Sequence, residues 1–436
     1  MDEPGGASRE LGFWSATALV VGHTIGVGIF LTPSELIGAL GSSGLVLALW
    51  LFCGALVLAG ALTFGELASR YPEIGGLYVF LREAFGPRVA FLYGWQSVLI
   101  MDPGITAALA IGVTGYVVVL FPAAAGHERL IAVAGIWALA LLAMAGLRLS
   151  SRSLNALTAL KLAALVAVVA GAFTVPSGSW AHFWPPFARA AHSPPLFEAL
   201  GVGLIGAFYS FGGFWEASRV AGEVRDARRL LPRALTLGVI VVTAAYVAVT
   251  AAFLYLAPPS GRGSVVAFAG VPLRMATAAV VISVAASILA LLLMAPRLYL
   301  AMSADGLFPE ALARVNPRTG TPVRATVLLA VIASVFVLTG SFSEIVALFM
   351  CTTLLFVGLA AAGLFVVRSR PAAGAQPGFL APGYPATTAL FVLLVSGVVV
   401  SIALARPLPA LAGFALMLTG LPVYALRRGT ASGVAA

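Results

Sequence analysis

Two short segments and one lysine hold the residue types from which this chain could build a polar site. The first segment is Gly22-His23-Thr24-Ile25-Gly26-Val27-Gly28 and the second Tyr209-Ser210-Phe211-Gly212-Gly213, and each interrupts a long apolar run. Glycine lowers the cost of unwinding a helix, and unwinding in an apolar medium frees N–H and C=O groups that need partners. A small zwitterion supplies both kinds. Its carboxylate accepts from amides at a half-helix N-terminus, and its ammonium donates to freed carbonyls. Glycines in apolar helices also serve close helix packing, a reading that suits either segment alone better than the matched pair.

Lys161 is the only lysine among 25 basic residues, so the other 24 are arginine, and its neighbours in sequence are apolar. A charge at the centre of a membrane helix costs roughly 2.5–3.5 kcal/mol on insertion scales, which makes such residues functional by default. Lysine can shed its proton when buried and arginine cannot. The competing reading is a side chain that snorkels towards the interface near Arg152.

Asp102, beside Pro103 and Gly104, is a second buried charge that needs a partner or a proton. It can balance Lys161 or Arg219, select a cationic substrate, take up a transported proton, or accept hydrogen bonds at a Pro-Gly kink. Glu216, Arg219 and Glu223 have the spacing of an ion-paired helix face. Ser283 and Ser287 give the eighth span a hydroxyl-bearing face, although membrane serines commonly bond their own backbone. His23 either titrates or stays neutral against freed backbone.

The elements that must position these residues follow from composition. The 436 residues are 61% hydrophobic and 9% charged, with a mean hydropathy of +1.04, far from the balance of a soluble domain. A crossing needs about 20 mainly apolar residues. Such stretches lie near 12–39, 44–69, 89–120, 130–148, 155–175, 197–220, 233–257, 276–302, 323–340, 345–367, 386–405 and 408–426, which predicts an all-α membrane protein of about twelve spans. The first has no basic n-region or cleavage site and is expected to stay in the mature chain.

The net charge of +9 suits the membrane rather than nucleic acid, because the arginines follow loop parity. With the N-terminus inside, eighteen, from Arg9 and Arg70 to Arg427 and Arg428, fall at or near cytoplasmic ends, against five outside: Arg129, Arg189, Arg262, Arg274 and Arg406. That split predicts an even number of spans with both termini cytoplasmic in an inner membrane. Cys53 and Cys351 lie in apolar runs and imply neither disulfide nor metal. The loop 176–195, with Trp180, Phe183, Trp184 and Phe187, reads as an interfacial aromatic belt.

Five spans separate the two interruptions, so each begins a five-helix half, and an odd number of spans makes the second half insert upside down. The chain is therefore expected to form one transmembrane domain over 1–436. Its first repeat runs about 12–175 and its second about 197–367, with two further helices over 386–426.

These residues resemble the amino acid–polyamine–organocation superfamily, close to its amino acid permeases and L-type amino acid transporters. The likeness is carried by residues 22–30 (GHTIGVGIF), 64–76 (FGELASRYPEIGG), 211–234 (FGGFWEASRVAGEVRDARRLLPRA), 296–309 (PRLYLAMSADGLFP) and Thr321-Pro322. The resemblance implies a LeuT-like five-plus-five inverted repeat with broken helices 1 and 6. It implies a substrate site from Thr24, Ile25, Gly26, Val27, Gly28, Tyr209, Ser210, Phe211 and Gly212. There the Val27 and Gly28 amides meet the substrate carboxylate, and the carbonyls of Thr24, Tyr209, Ser210 and Gly212 meet its amine. Tyr209 becomes an aromatic gate. Lys161 matches the lysine that stands where sodium-coupled relatives bind sodium, with Ser287 as its partner, and Asp102 joins these as a coupling or gating residue. His23, Val27 and Asp102-Pro103 depart from the family's pattern and bear on substrate choice.

The function expected is sodium-independent amino acid transport by alternating access, through proton symport or exchange; the alternative is a polyamine or cationic amino acid antiporter. The partners expected are a small amino acid, protons where coupling is by symport, and membrane lipid. No cofactor, metal or nucleic acid is expected, nor an ancillary subunit joined by a disulfide, since the 121–129 loop has no cysteine. An enzyme is disfavoured because HExxH and GxSxG are missing and His127, His182 and His192 fall in outer loops. A channel would need rings of repeated polar residues.

Overall fold

The computed structural model describes residues 11–26, 28–176, 178–191, 193–256, 273–370 and 378–432. Arg9, Val27, His192 and Arg262, each singled out above, lie outside the described residues. Helices occupy every predicted span. Among the described residues nine are long and apolar enough to cross a membrane: Ser43–Arg70 (span 2), Pro87–Leu120 (span 3), Arg152–Ala172 (span 5), Leu196–Glu223 (span 6), Ala227–Leu256 (span 7), Thr277–Ala304 (span 8), Glu344–Ser369 (span 10), Ala386–Ala405 (span 11) and Pro407–Arg427 (span 12). Span 9, Val323–Thr339, is a shorter apolar helix. The other two expected spans fall below that length for separate reasons. Span 4, Glu128–Met144, has 17 residues, and span 1 is divided into Phe13–Thr24 and Gly28–Leu40.

Spans 2 and 7 pack along each other, and span 8 lies against spans 3, 4 and 5. The two halves of span 1 choose different neighbours: the first packs on span 7 and the second on span 6. Span 6 is broken as well. Its α-helical half ends at Ser210, and a 3-10 half runs over Phe214–Glu223. Span 3 contains a π-helical turn over Ser97–Met101 immediately before Asp102. Pro103 cannot donate the next helical hydrogen bond, so a local widening relieves the ladder there.

One end of the bundle is fastened by charges. Buried Glu66 pairs with Arg70 at 2.7 Å and with Arg368, accepts from the Ala381 amide at 2.8 Å, and so ties spans 2 and 10 to the approach of span 11. Leu77–Phe85, a helix between spans 2 and 3 that hydropathy did not separate, brings Arg82 to Glu73, Glu83 and Asp305. Burial first, and its hydrogen bond to Asp305 second, hold the Tyr78 phenol above its usual range, so it stays a donor. Leu11 pairs with the chain after span 6, its amide donating to the Glu223 carbonyl at 3.0 Å.

At the opposite end the 178–191 segment is strapped down. Arg189 donates to the Leu40 carbonyl at 3.0 Å, the Ala190 amide to Gly41 at 2.9 Å, and Ser42 to Pro186 at 2.7 Å. Trp180, Trp184 and Phe187 are all exposed, and Trp180 also packs on Phe173 and Tyr255.

Candidate functional site

The first break forms because the α-helical ladder stops at Ile25, whose amide still reaches the Val21 carbonyl at 3.0 Å. Gly26 then turns back to donate to Thr24 at 2.9 Å. The second half-helix opens at Gly28, whose N–H therefore has no intrahelical acceptor. The carbonyls of Gly22 and Ile25 are left without helical donors, and Lys161 fills that gap. Its Nζ donates to Gly22 at 2.7 Å, to Ile25, and to Ser287 Oγ at 3.2 Å. Ser287 Oγ lies 3.2 Å from the Ile25 carbonyl. Lys161 and Ser287 are both buried, so the lysine does not snorkel. Ser283 contributes its carbonyl to Ser287, and among the described residues its own hydroxyl finds no partner.

The second break follows from Gly212 and Gly213. The Gly212 amide turns back to the Tyr209 carbonyl at 2.9 Å, and Gly213 takes a left-handed conformation, φ +99°. The breaks are in contact. Gly28 lies against Ser210, and Gly213 lies under the His23 ring, which a Cβ there would approach to 2.6 Å. Ser210 Oγ donates to Thr32 Oγ1 at 2.8 Å, joining the two helical halves.

Tyr246 of span 7 bridges the breaks, and nothing in the sequence pattern pointed to it. Its hydroxyl donates to the Thr24 carbonyl at 3.2 Å and to the Ser210 carbonyl. Its ring packs between Trp50 and Phe211, with centroids at 4.8 and 5.0 Å. Three of the four carbonyls expected to face an amine, those of Thr24, Tyr209 and Ser210, thus already carry an internal donor. The Ile25 carbonyl faces Lys161, and the Phe211 ring is committed to packing. The amide expectation can be followed at Gly28 alone, since Val27 is outside the described residues. Tyr209 sits half-buried on the last turn of the helical half.

Below the breaks Asp102 meets Arg219, not Lys161. Arg219 Nη1 donates to Asp102 Oδ1 at 3.1 Å, and Tyr299 donates to Oδ2 at 3.2 Å. Glu216 lies 2.5 Å from Arg219 Nε. Glu223 leaves the anticipated strip and pairs with Arg297 of span 8 at 2.9 Å. The reason is local: with three residues per turn, Glu216 and Arg219 eclipse each other, while a residue four further on is turned away by a third of a turn. Among the described residues His23 Nδ1 has no partner and so bonds no freed backbone there; its ring lines a small cavity with Asn155 and Thr158.

Two broken helices in contact, a buried lysine on the carbonyls of one break and a bundle of apolar helices describe a transport protein. Residues 11–424 match the family described as Amino acid permease. The chain belongs to this family. It is an integral membrane transporter and not an enzyme. The permease is 28% identical to the b(0,+)-type amino acid transporter 1 of Oryctolagus cuniculus over 382 residues, 84% of this chain and 78% of that protein. It is 25% identical to the serine/threonine exchanger SteT of Bacillus subtilis over 434 residues, covering 97% of both chains. To the large neutral amino acids transporter small subunit 2 of Homo sapiens it is 27% identical over 431 residues, 96% of this chain and 80% of that one.

Proposed function

We propose that the permease carries amino acids without sodium, binding them where the breaks of spans 1 and 6 meet and alternating access by rocking spans 1, 2, 6 and 7 against the rest. Lys161 carries this reading. Its ammonium sits on the Gly22 and Ile25 carbonyls and on Ser287, as a tethered cation in a place that would otherwise suit a free one. The substrate carboxylate then meets the N-terminus of the half-helix at Gly28, and its ammonium competes with Tyr246 for the carbonyls of Thr24 and Ser210.

The chain acts as one transmembrane domain, with repeats over about 12–175 and 197–367 and two appended helices over 386–426. It sits in the inner membrane with both termini and the arginine-rich end in the cytoplasm. Coupling is proton symport or exchange, with discharge of Lys161 loosening its hold on the first break in the proton version. The alternative, a polyamine or cationic amino acid antiporter, is favoured by an Asp102 carboxylate that meets the substrate; Arg219 pairs with that carboxylate here. The exchange version draws support from the likeness to SteT, a serine/threonine exchanger.

The test is uptake of a panel of radiolabelled amino acids into proteoliposomes, with and without sodium and with and without a pH gradient. Saturable counterflow that ignores sodium supports the reading. Strict sodium dependence refutes the role given to Lys161, and flux without saturation or counterflow would indicate a channel.

A further inference from the structure

Asp102, Arg219 and Glu216 form a sealed cluster, each no more than 1% exposed, holding two carboxylates against one guanidinium. Fully ionised, it would bury one unbalanced negative charge, which is far more costly than a neutral acid in the same place. Its two carboxylates are not equivalent. Asp102 accepts from Arg219 through both oxygens and from Tyr299. Glu216 is held less firmly: its Oε2 lies 2.5 Å from Arg219 Nε but out of line for a well-formed hydrogen bond, and the Trp215 side chain is its other donor. Tyr93 and Ser97 of span 3 turn to Arg219 rather than to Glu216, at 3.3 and 3.5 Å.

Among the described residues Arg219 is the one cation that forms an ion pair with Asp102 or Glu216. From the elements packed on this part of span 6, span 1 presents His23, span 3 presents Asp102 and Tyr93, and span 8 presents Tyr299. Glu66 of span 2, Arg82 of the helix Leu77–Phe85, Tyr246 of span 7 and Arg297 of span 8 are engaged with their own partners. Lys161 of span 5 is committed to the first break.

We propose that Glu216 binds one exchangeable proton, and that the Asp102–Arg219–Glu216 cluster is a proton site separate from Lys161. The proton sits on Glu216 and leaves the cluster neutral. Its release rests on the rocking motion proposed above. Asp102 and Tyr299 belong to the stationary spans 3 and 8, whereas Glu216 and Arg219 ride on span 6. When span 6 swings away, Asp102 is left to the opened aqueous path, Arg219 has Glu216 as its sole counter-charge, and the proton departs to water.

Infrared spectroscopy of the purified, reconstituted protein tests this directly. At neutral pH surface carboxylates are ionised, so a protonated carboxylic acid band reports a buried acid. The band is expected in the wild type, lost in Glu216→Gln and displaced in Glu216→Asp. Its absence from the wild type, or a band untouched in both variants, overturns the proposal whatever transport does. Counterflow across a pH series, each variant normalised to its own maximum, is expected to vary with pH in the wild type and to flatten in Glu216→Gln. An unchanged profile in a transport-competent Glu216→Gln overturns the part of the proposal in which the proton exchanges during the cycle. If the band behaves as expected while no pH gradient drives uptake, the site stands and proton symport falls.

Discussion

Gly28 and Ser210, one from each broken helix, touch so closely that a Cβ on Gly28 would lie 2.7 Å from Ser210 Oγ and 3.1 Å from its Cα. The second atom is backbone, so no rotamer change relieves the clash. In the substrate site proposed above, the breaks approach backbone against backbone so that amides of one and carbonyls of the other reach a single small molecule. Gly28→Ala is expected to force them apart at about 1–3 kcal/mol, the usual range for overpacking. Counterflow should fall at least about tenfold while the protein still purifies as a monodisperse species. Wild-type rates in that variant would mean that this contact is not kept during transport.

Lys161→Ala removes a donor from the Gly22 and Ile25 carbonyls and leaves them Ser287, at 3.4 and 3.2 Å. A buried acceptor left unsatisfied costs about 1–3 kcal/mol. Uptake is expected to be abolished or uncoupled from pH, with substrate binding partly kept, and Lys161→Arg is not expected to rescue it because a guanidinium does not discharge. Undiminished pH-dependent uptake by Lys161→Ala would remove Lys161 from the coupling mechanism.

What the sequence disclosed depended on contrast with its surroundings. Glycine clusters in apolar runs marked both breaks, and a lone lysine among arginines marked the cation that braces the first. Tyr246 gave no such signal, since a tyrosine in an apolar helix looks like any core aromatic until its hydroxyl is seen between Thr24 and Ser210. The Asp102–Arg219 pair stayed open for another reason. The residues are 117 positions apart, and span parity does not fix the rotation of two helices about their axes. Glu223 misled because a 3-10 segment does not keep the four-residue repeat of an α-helix.

Tyr246→Phe frees the Thr24 and Ser210 carbonyls without changing the ring that packs on Trp50 and Phe211. An arriving ammonium then has no hydroxyl to displace. Equilibrium binding is expected to tighten by about tenfold, equal to one net hydrogen bond of roughly 1.4 kcal/mol, while turnover falls because the two breaks are no longer tied in the empty carrier. Titration calorimetry alongside counterflow separates the two effects. Weaker binding would show that the hydroxyl contacts the substrate and does not stand in for it.

Asp102→Asn distinguishes a structural and proton-balancing carboxylate from one that selects cations. In this structure both Asp102 oxygens face Arg219 and Tyr299, and the side chain is fully buried, so a passing cation would have to displace a guanidinium to reach it. The amide keeps an acceptor for one of those donors and loses the charge, a change of about 1.5–3 kcal/mol for a hydrogen bond to an ionised group. A lower melting temperature is therefore expected. The order in which neutral amino acids, cationic amino acids and diamines compete for uptake should not change. Arg219 then has Glu216 as its only counter-charge, so the protonated-acid band described above should disappear from this variant too. A loss of transport confined to cationic substrates would instead restore Asp102 as a selectivity group and bring back the antiporter reading.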